Sequence, residues 1–244
     1  MLSKQQIKII RGLQLKKNRM QSGLFICEGA KIVHELLHSS LKINKIYALK
    51  EWIIKNEGFL GDKNIVQEIS SNELLQISEL STPNEVLAMV HFPEQKLQST
   101  SKLGLALDSI RDPGNLGTII RIADWYGLSQ LICSEDCADA YNAKVVQASM
   151  GSLFRIQIHY LPLIPYLKNL KTPIYGAALH NSENLHTFKG KKSGTLIIGN
   201  ESNGLSDEVL AACDVRLHIP RFGKAESLNA AIATGIFLDT MIKW

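Results

Sequence analysis

From residue 103 onward, short apolar runs alternate with longer segments whose apolar residues recur every three or four positions, and no other feature limits the fold so strongly. The runs cover 103–108, 131–133, 154–159, 174–179, 195–199 and 215–219. Strands this short, each followed by a helical segment, predict an α/β unit with a six-stranded parallel sheet and helices on both faces. Ligands of such sheets gather outside the carboxyl ends of the strands, so the loops that follow the runs are where chemistry is expected.

The first hundred residues read differently. A basic helix is predicted over 3–20, and Lys4, Lys8, Arg11, Lys16, Lys17 and Arg19 all precede the first carboxylate, Glu28. That positive patch suits either phosphate binding or plain solvation. Strands over 24–28, 44–49, 65–69 and 86–91, with helices over 30–38 and 71–79, make a small α/β domain over 1–95. Residues 92–102 mix Pro, Gln, Ser, Thr and Lys without periodicity, as a linker to a second domain over 103–244 would. A chain of 244 residues with 45% apolar content can fill both cores.

Several function classes drop out. No apolar stretch reaches the roughly eighteen residues of a membrane span, and the N-terminus lacks a signal peptide's apolar core, so a cytoplasmic protein without a membrane partner is expected. Cys27, Cys133, Cys137 and Cys213 show no CxxC spacing and are expected as free thiols. His34 and His38 lie one helical turn apart without a third ligand nearby, so no metal is expected. The phosphate-cradling GxGxxG and P-loop patterns are missing, and so is a GxSxG nucleophile elbow.

Three strand-end loops carry unusual polar residues. In the first, over 108–127, a polar turn with Pro113 and Gly114 leads into a helix near Asn115, which either caps that helix or meets a ligand. Arg121, six residues on, interrupts Ile119, Ile120, Ile122 and Ala123, calls for a partner, and could project toward the same cleft as Asn115. In the second, over 196–210, Glu201 stands between Gly199 and Gly204 ahead of a helix start at Ser206; the glycines serve either a tight turn or close approach to a ligand. In the third, over 218–241, Ser227 and Asn229 open an apolar helix, where Ser227 either caps the helix, with Asn229 filling its first turn, or both serve a ligand. The free amides of a helix start can also receive a polar ligand.

Taken together, DPGNLGTIIRIADWYG, IIGNESNGLS and HIPRFGKAESLNAAIATGI resemble the three ordered signature motifs of the SpoU (TrmH) family of RNA methyltransferases, within the SPOUT superfamily. The similarity spans about residues 103–244, and the segment KQQIKIIRGLQLKKNRMQSGLFICEG resembles the family's N-terminal RNA-binding domain, itself similar to a small ribosomal protein. The resemblance implies a SPOUT domain with a deep trefoil knot, S-adenosylmethionine as cofactor, and methyl transfer to a ribose 2′-hydroxyl of RNA, ribosomal rather than transfer RNA. It places the cofactor against Leu179, Gly199, Asn200, Gly204, Ile219, Ser227 and Leu228. It assigns the chemistry to Asn115, Arg121, Glu201, Ser227 and Asn229, and phosphate gripping to the basic N-terminal residues. A homodimer is implied too, paired through the apolar helix that ends in Ile236, Phe237, Leu238, Met241 and Trp244.

In-line methyl transfer requires oxygen, methyl carbon and sulfur to be aligned, and a proton to leave the hydroxyl. The resemblance gives Arg121 the proton-accepting role, yet a guanidinium with a pKa above about 12 is a poor base. Arg121 either takes the proton with help from an RNA phosphate, or clamps that phosphate while another group takes the proton. Two other classes stay open: an RNA-binding module with the same fold and no catalysis, and a nucleotide-cofactor enzyme.

Overall fold

The computed structural model describes residues 1–98, 102–189 and 193–242. Residues 99–101 of the expected linker, and Trp244 of the expected dimer helix, lie outside the described residues. The chain forms two compact units: one holds Met1–Glu94 together with Tyr141–Phe154, and the other holds the rest.

The first unit opens with two helices where one was expected, α1 (Lys4–Gly12) and α2 (Lys16–Ser22). A reciprocal capping box of Ser3 and Gln6 starts α1. Its end is fixed by side chains of α2: the Arg19 guanidinium donates to the carbonyls of Leu13 (2.7 Å) and Gln14 (2.8 Å), and the Asn18 amide to that of Gly12 (2.8 Å). These donors satisfy carbonyls that a continuous helix would have used internally. Then follow β1 (Leu24–Glu28), α3 (Ala30–Leu37), β2 (Ile43–Ala48), α4 (Lys50–Asn56), β3 (Val66–Glu68), α5 (Ser71–Ile77) and β4 (Val86–His91). The sheet order is β1-β4-β2-β3, antiparallel except for the β2–β3 pair. Of these elements only α4 has no counterpart in the expected pattern; it is anchored by the buried Trp52.

The second unit begins with β5 (Leu103–Leu107), α6 (Pro113–Trp125) and β6 (Gln130–Cys133). The chain then gives α7 (Ala143–Ser149) to the first unit, where Gln147 donates to the Glu28 carbonyl at 2.7 Å and Tyr141 packs on Phe25 with ring centroids 4.9 Å apart. Returning, it forms β7 (Gln157–Tyr160), α8 (Leu163–Lys168), β8 (Ile174–Ala177), β9 (Glu183–Asn184), β10 (Gly194–Ile198), α9 (Asp207–Ala212), β11 (Val215–His218) and α10 (Ala230–Met241). All seven strands pair parallel, in the order β7-β6-β5-β10-β8-β11-β9. The seventh, β9, is a two-residue strand that extends the edge beside β11 and is too short to register as an apolar run. Near-continuous burial of β5, β6 and β10 is what a sheet covered on both faces requires. On one face Ile174 and Ile197 pack with Leu163, Leu167 and Val209 of α8 and α9. Among the described residues no helix is long and apolar enough to cross a membrane.

Candidate functional site

β10, β8 and β11 are neighbours in the parallel sheet, so the loops leaving their carboxyl ends converge. They enclose a cavity of about 850 Å³, walled by residues 177–181, 198–205, 216–223 and 225–228 and closed by Ala230, Ala233 and Phe237 of α10. Leu179, Gly199, Asn200, Glu201, Gly204, Ile219, Ser227 and Leu228 all line it.

The wall after β10 is a narrow hairpin. Asn200 and Gly204 exchange main-chain hydrogen bonds of 3.0 and 2.9 Å, and the Asn200 side chain accepts from the Ser202 amide at 2.9 Å. A Cβ on Gly199 would stand 2.3 Å from the carbonyl carbon of Gly204, and Gly204 itself has φ +68°, so the hairpin alone demands both glycines. The hairpin is tethered from outside: the Asn200 amide donates to the Ser109 carbonyl at 2.9 Å. Ser109 is in turn held by Ser134, through its main-chain amide at 2.9 Å, and by Asp136, through its hydroxyl at 2.7 Å. Burial opposes the charge of Asp136, but hydrogen bonds from Ser134, Arg111 and Ser109 outweigh it and hold the carboxyl down at about 2.

The three strand-end loops meet at Asn115. Asp112, not Asn115, caps α6, accepting from the Asn115 main-chain amide at 2.8 Å. The Asn115 side chain is thereby free, and its amide donates to the Glu201 carboxylate while its oxygen accepts from the Asn229 amide at 2.8 Å. Asn229, not Ser227, caps α10, its side-chain oxygen accepting from the amides of Ala231 (3.0 Å) and Ile232 (3.3 Å). With that oxygen committed, only its NH₂ can face Asn115, which turns the NH₂ of Asn115 toward Glu201. Ser227 is exposed on the cavity wall without a hydrogen-bond partner among the described residues.

Arg121 is not brought into this cluster. Six residues of helix turn its side chain about 120° away from that of Asn115. Ile119, Ile120 and Ala123 are buried, whereas Arg121 is exposed, makes no hydrogen bond or ion pair among the described residues, and does not line the cavity. The helix buries one face only, so the arginine needs no internal partner.

The basic patch divides. Lys4, Lys8, Arg11, Lys16 and Lys17 are exposed, but Arg19 is 3% exposed and holds the Leu13 and Gln14 carbonyls just past α1, which removes it from the expected phosphate-gripping set. The expected dimer residues divide as well: Phe237, Leu238 and Met241 are buried within the chain. The apolar side chains left exposed on the packed pair α6 and α10 are Trp125 (80%) and Ile232 (57%). His34 and His38 pack against Phe59, edge-on and tilted respectively, rather than converging with other ligands, and no group of three potential metal ligands occurs among the described residues.

Several wall residues escaped sequence reasoning: His180 and Asn181 beyond β8, Arg216 and His218 on β11, and Arg221 and Phe222 beyond it. Their only signal was position, since all but Arg216, the second residue of β11, lie at or just past the carboxyl end of a strand.

Comparison with known proteins places this geometry. The family model described as the SpoU rRNA Methylase family matches residues 102–239, and that of the MRM3-like substrate binding domain matches residues 4–88. The chain is 34% identical over 237 residues, covering 96% of it and 94% of the relative, to the 23S rRNA (guanosine(2553)-2′-O)-methyltransferase RlmP of Bacillus subtilis (strain 168). It superposes on the AdoMet-bound rRNA methyltransferase of Sinorhizobium meliloti with a TM-score of 0.87 at 30% identity, covering 99% of this chain and 95% of that one. It superposes on the SpoU methyltransferase AviRb of Streptomyces viridochromogenes, in complex with AdoMet, with a TM-score of 0.84 at 26% identity, covering 98% and 97%.

Proposed function

Because this chain belongs to the SpoU rRNA methylase family, we propose that it methylates a ribose 2′-hydroxyl of ribosomal RNA from S-adenosylmethionine. The observation that carries the reading is the joint at Asn115, where hydrogen bonds to Glu201 and Asn229 tie all three motif loops together beside one cavity. The cavity suits the cofactor: its volume lies within the range of about 300–1,000 Å³ usual for small-molecule sites. Leu179, Ile219 and Leu228 supply apolar walls, and Gly199, Asn200 and Gly204 offer main-chain groups of the hairpin, which a side chain at Gly199 would displace.

When bound, S-adenosylmethionine supplies an activated methyl group. The protein's part is alignment, which converts a bimolecular encounter into an oriented one. Glu201 spends one carboxylate oxygen on Asn115 and keeps the other for the acceptor ribose. Asn229 stiffens that arrangement from the start of α10, and Ser227 shapes the adjoining wall. Arg121, exposed and carrying a guanidinium, is suited to clamp an RNA phosphate rather than to accept a proton.

The reading extends to assembly and substrate grip. A homodimer closing over Trp125 and Ile232 would carry Arg121 into its interface, because Arg121 lies one helical turn before Trp125 on α6. Lys4, Lys8, Arg11, Lys16 and Lys17 grip RNA phosphates within a substrate-binding domain over about 1–95, and the methyltransferase domain over 103–244 carries the family's trefoil knot. Family membership and the convergence of the loops after β8, β10 and β11 support the knot.

The test is transfer of labelled methyl from S-adenosylmethionine to unmodified ribosomal and transfer RNA, with the modified nucleotide mapped. Label on ribosomal RNA at a 2′-oxygen, lost in Arg121→Ala, is expected. Cofactor binding without transfer to any RNA would replace the reading with a silent RNA-binding module.

A further inference from the structure

The wall after β11 carries a feature that cofactor binding does not explain. Phe222 is 98% exposed, the most exposed aromatic ring among the described residues, yet it belongs to the cavity wall. An aromatic side chain left in water at a cavity mouth loses the burial that ordinarily keeps it in a fold. The charged residues beside it are mostly basic: Arg221 and Lys224 are exposed on either side, with Glu226 the one acid of the loop. The Arg221 guanidinium is partly engaged, donating to the Ala225 carbonyl at 3.2 Å, which shapes the loop around Phe222. The same wall leads through Ser227 to Asn229, and so to the Asn115–Glu201 joint.

We infer that Phe222 is the stacking platform for an unpaired RNA base at or beside the acceptor nucleotide, with Arg221 and Lys224 holding the flanking phosphates. Every base offers a π-face to an aromatic ring, while the phosphates on either side of it require cations, and the Arg-Phe-Gly-Lys segment supplies both chemistries within four residues. A platform at the rim, rather than at the floor, leaves the cavity to the cofactor and presents the ribose between the two. Gly223, between the ring and Lys224, adds no side chain that would crowd a stacked base. The inference rests on the RNA methylation reading and adds to it the residue that receives the nucleotide.

The experiment compares wild type, Phe222→Ala and Phe222→Trp in methyl transfer to unmodified ribosomal RNA, alongside cofactor affinity. Phe222→Ala is expected to lower kcat/KM for RNA at least about tenfold, with unchanged cofactor affinity and with Phe222→Trp restoring transfer. A readout independent of turnover follows the added fluorescence of Phe222→Trp over wild type, which stacked bases should quench when ribosomal RNA fragments are added. Unchanged kcat/KM in Phe222→Ala, or quenching by S-adenosylmethionine alone, overturns the platform while leaving the methylation reading intact. Quenching by RNA in a protein that transfers no methyl group would overturn the methylation reading and keep the platform.

Discussion

Replacing Gly199 by alanine is the sharpest test of how the cavity wall is built. The added Cβ would lie 2.3 Å from the carbonyl carbon of Gly204, 2.4 Å from its oxygen and 2.5 Å from the Leu205 nitrogen, all main-chain atoms. To reach ordinary contact the opposite arm of the hairpin must retreat by about 1 Å, and packed main chain has no rotamer that could absorb this. Overpacking of that kind costs about 1–3 kcal/mol, and weakening the Asn200–Gly204 hydrogen-bond pair adds about 1 kcal/mol. A total near 3 kcal/mol lowers the melting temperature of a chain this size by roughly 6–12 °C. The displaced hairpin also carries Glu201 away from Asn115, so affinity for S-adenosylmethionine should fall at least about tenfold, equivalent to about 1.4 kcal/mol. Gly204→Ala is the control: nothing stands within 4 Å of its Cβ, and only the left-handed backbone is penalised, by about 1–2 kcal/mol. Calorimetric melting and cofactor titration of both variants decide the matter. Equal cofactor affinity in wild type and Gly199→Ala would refute the claim that this contact shapes the binding wall.

Three further outcomes follow from the geometry. Asn115→Ala should lower kcat by about tenfold to a hundredfold, and Asn115→Asp further, because it sets a carboxylate against Glu201; an Asn115→Asp enzyme as active as wild type would sink the role given to this joint. Arg19→Met should lower the melting temperature by roughly 2–12 °C, at about 1–3 kcal/mol for carbonyls left without a donor, and leave RNA affinity unchanged, whereas Lys8→Ala and Lys17→Ala should reduce the salt dependence of RNA binding and leave melting alone. Asp136 has a folded-state pKa of about 2, below the ordinary value of about 3.9, so its contribution is present above about pH 4 and is lost as the pH falls toward 2. At 44% side-chain exposure that contribution is screened to below about 1 kcal/mol, and the stability gap between wild type and Asp136→Asn in urea should close across this window; a gap independent of pH would disprove it.

The parallel sheet was legible because strands buried on both faces leave apolar runs, and the runs at 103–108, 195–199 and 215–219 fall on β5, β10 and β11 within one or two residues. Glu201 and the glycines beside it were legible through their place at a strand end. Which residue caps each helix was not. Asp112 and Asn229 displaced Asn115 and Ser227 as caps, and the difference depends on main-chain angles one or two residues away, which periodicity does not carry. Arg19 was misread because a sequence shows charge and not burial, and its partners are carbonyls, which have no sequence signature. The strand order was beyond reach for a similar reason: the position of β10 between β5 and β8 is set by long-range pairing.

The loan of α7 to the first unit has a consequence in time. A ribosome that has finished residue 94 has made the four strands of the first sheet, yet Tyr141 and Gln147, which cover Phe25 and bond the Glu28 carbonyl, arrive only with the segment that ends at residue 154. At about 5–20 residues per second the nascent unit waits roughly 3–12 s with Phe25 of β1 covered by Phe92 but not yet by Tyr141. During that interval β5, α6 and β6 emerge as well, so folding of the two units overlaps instead of running in sequence. A fragment cut at residue 95 would hold that unfinished state permanently, and should be prone to aggregate where the full chain is not.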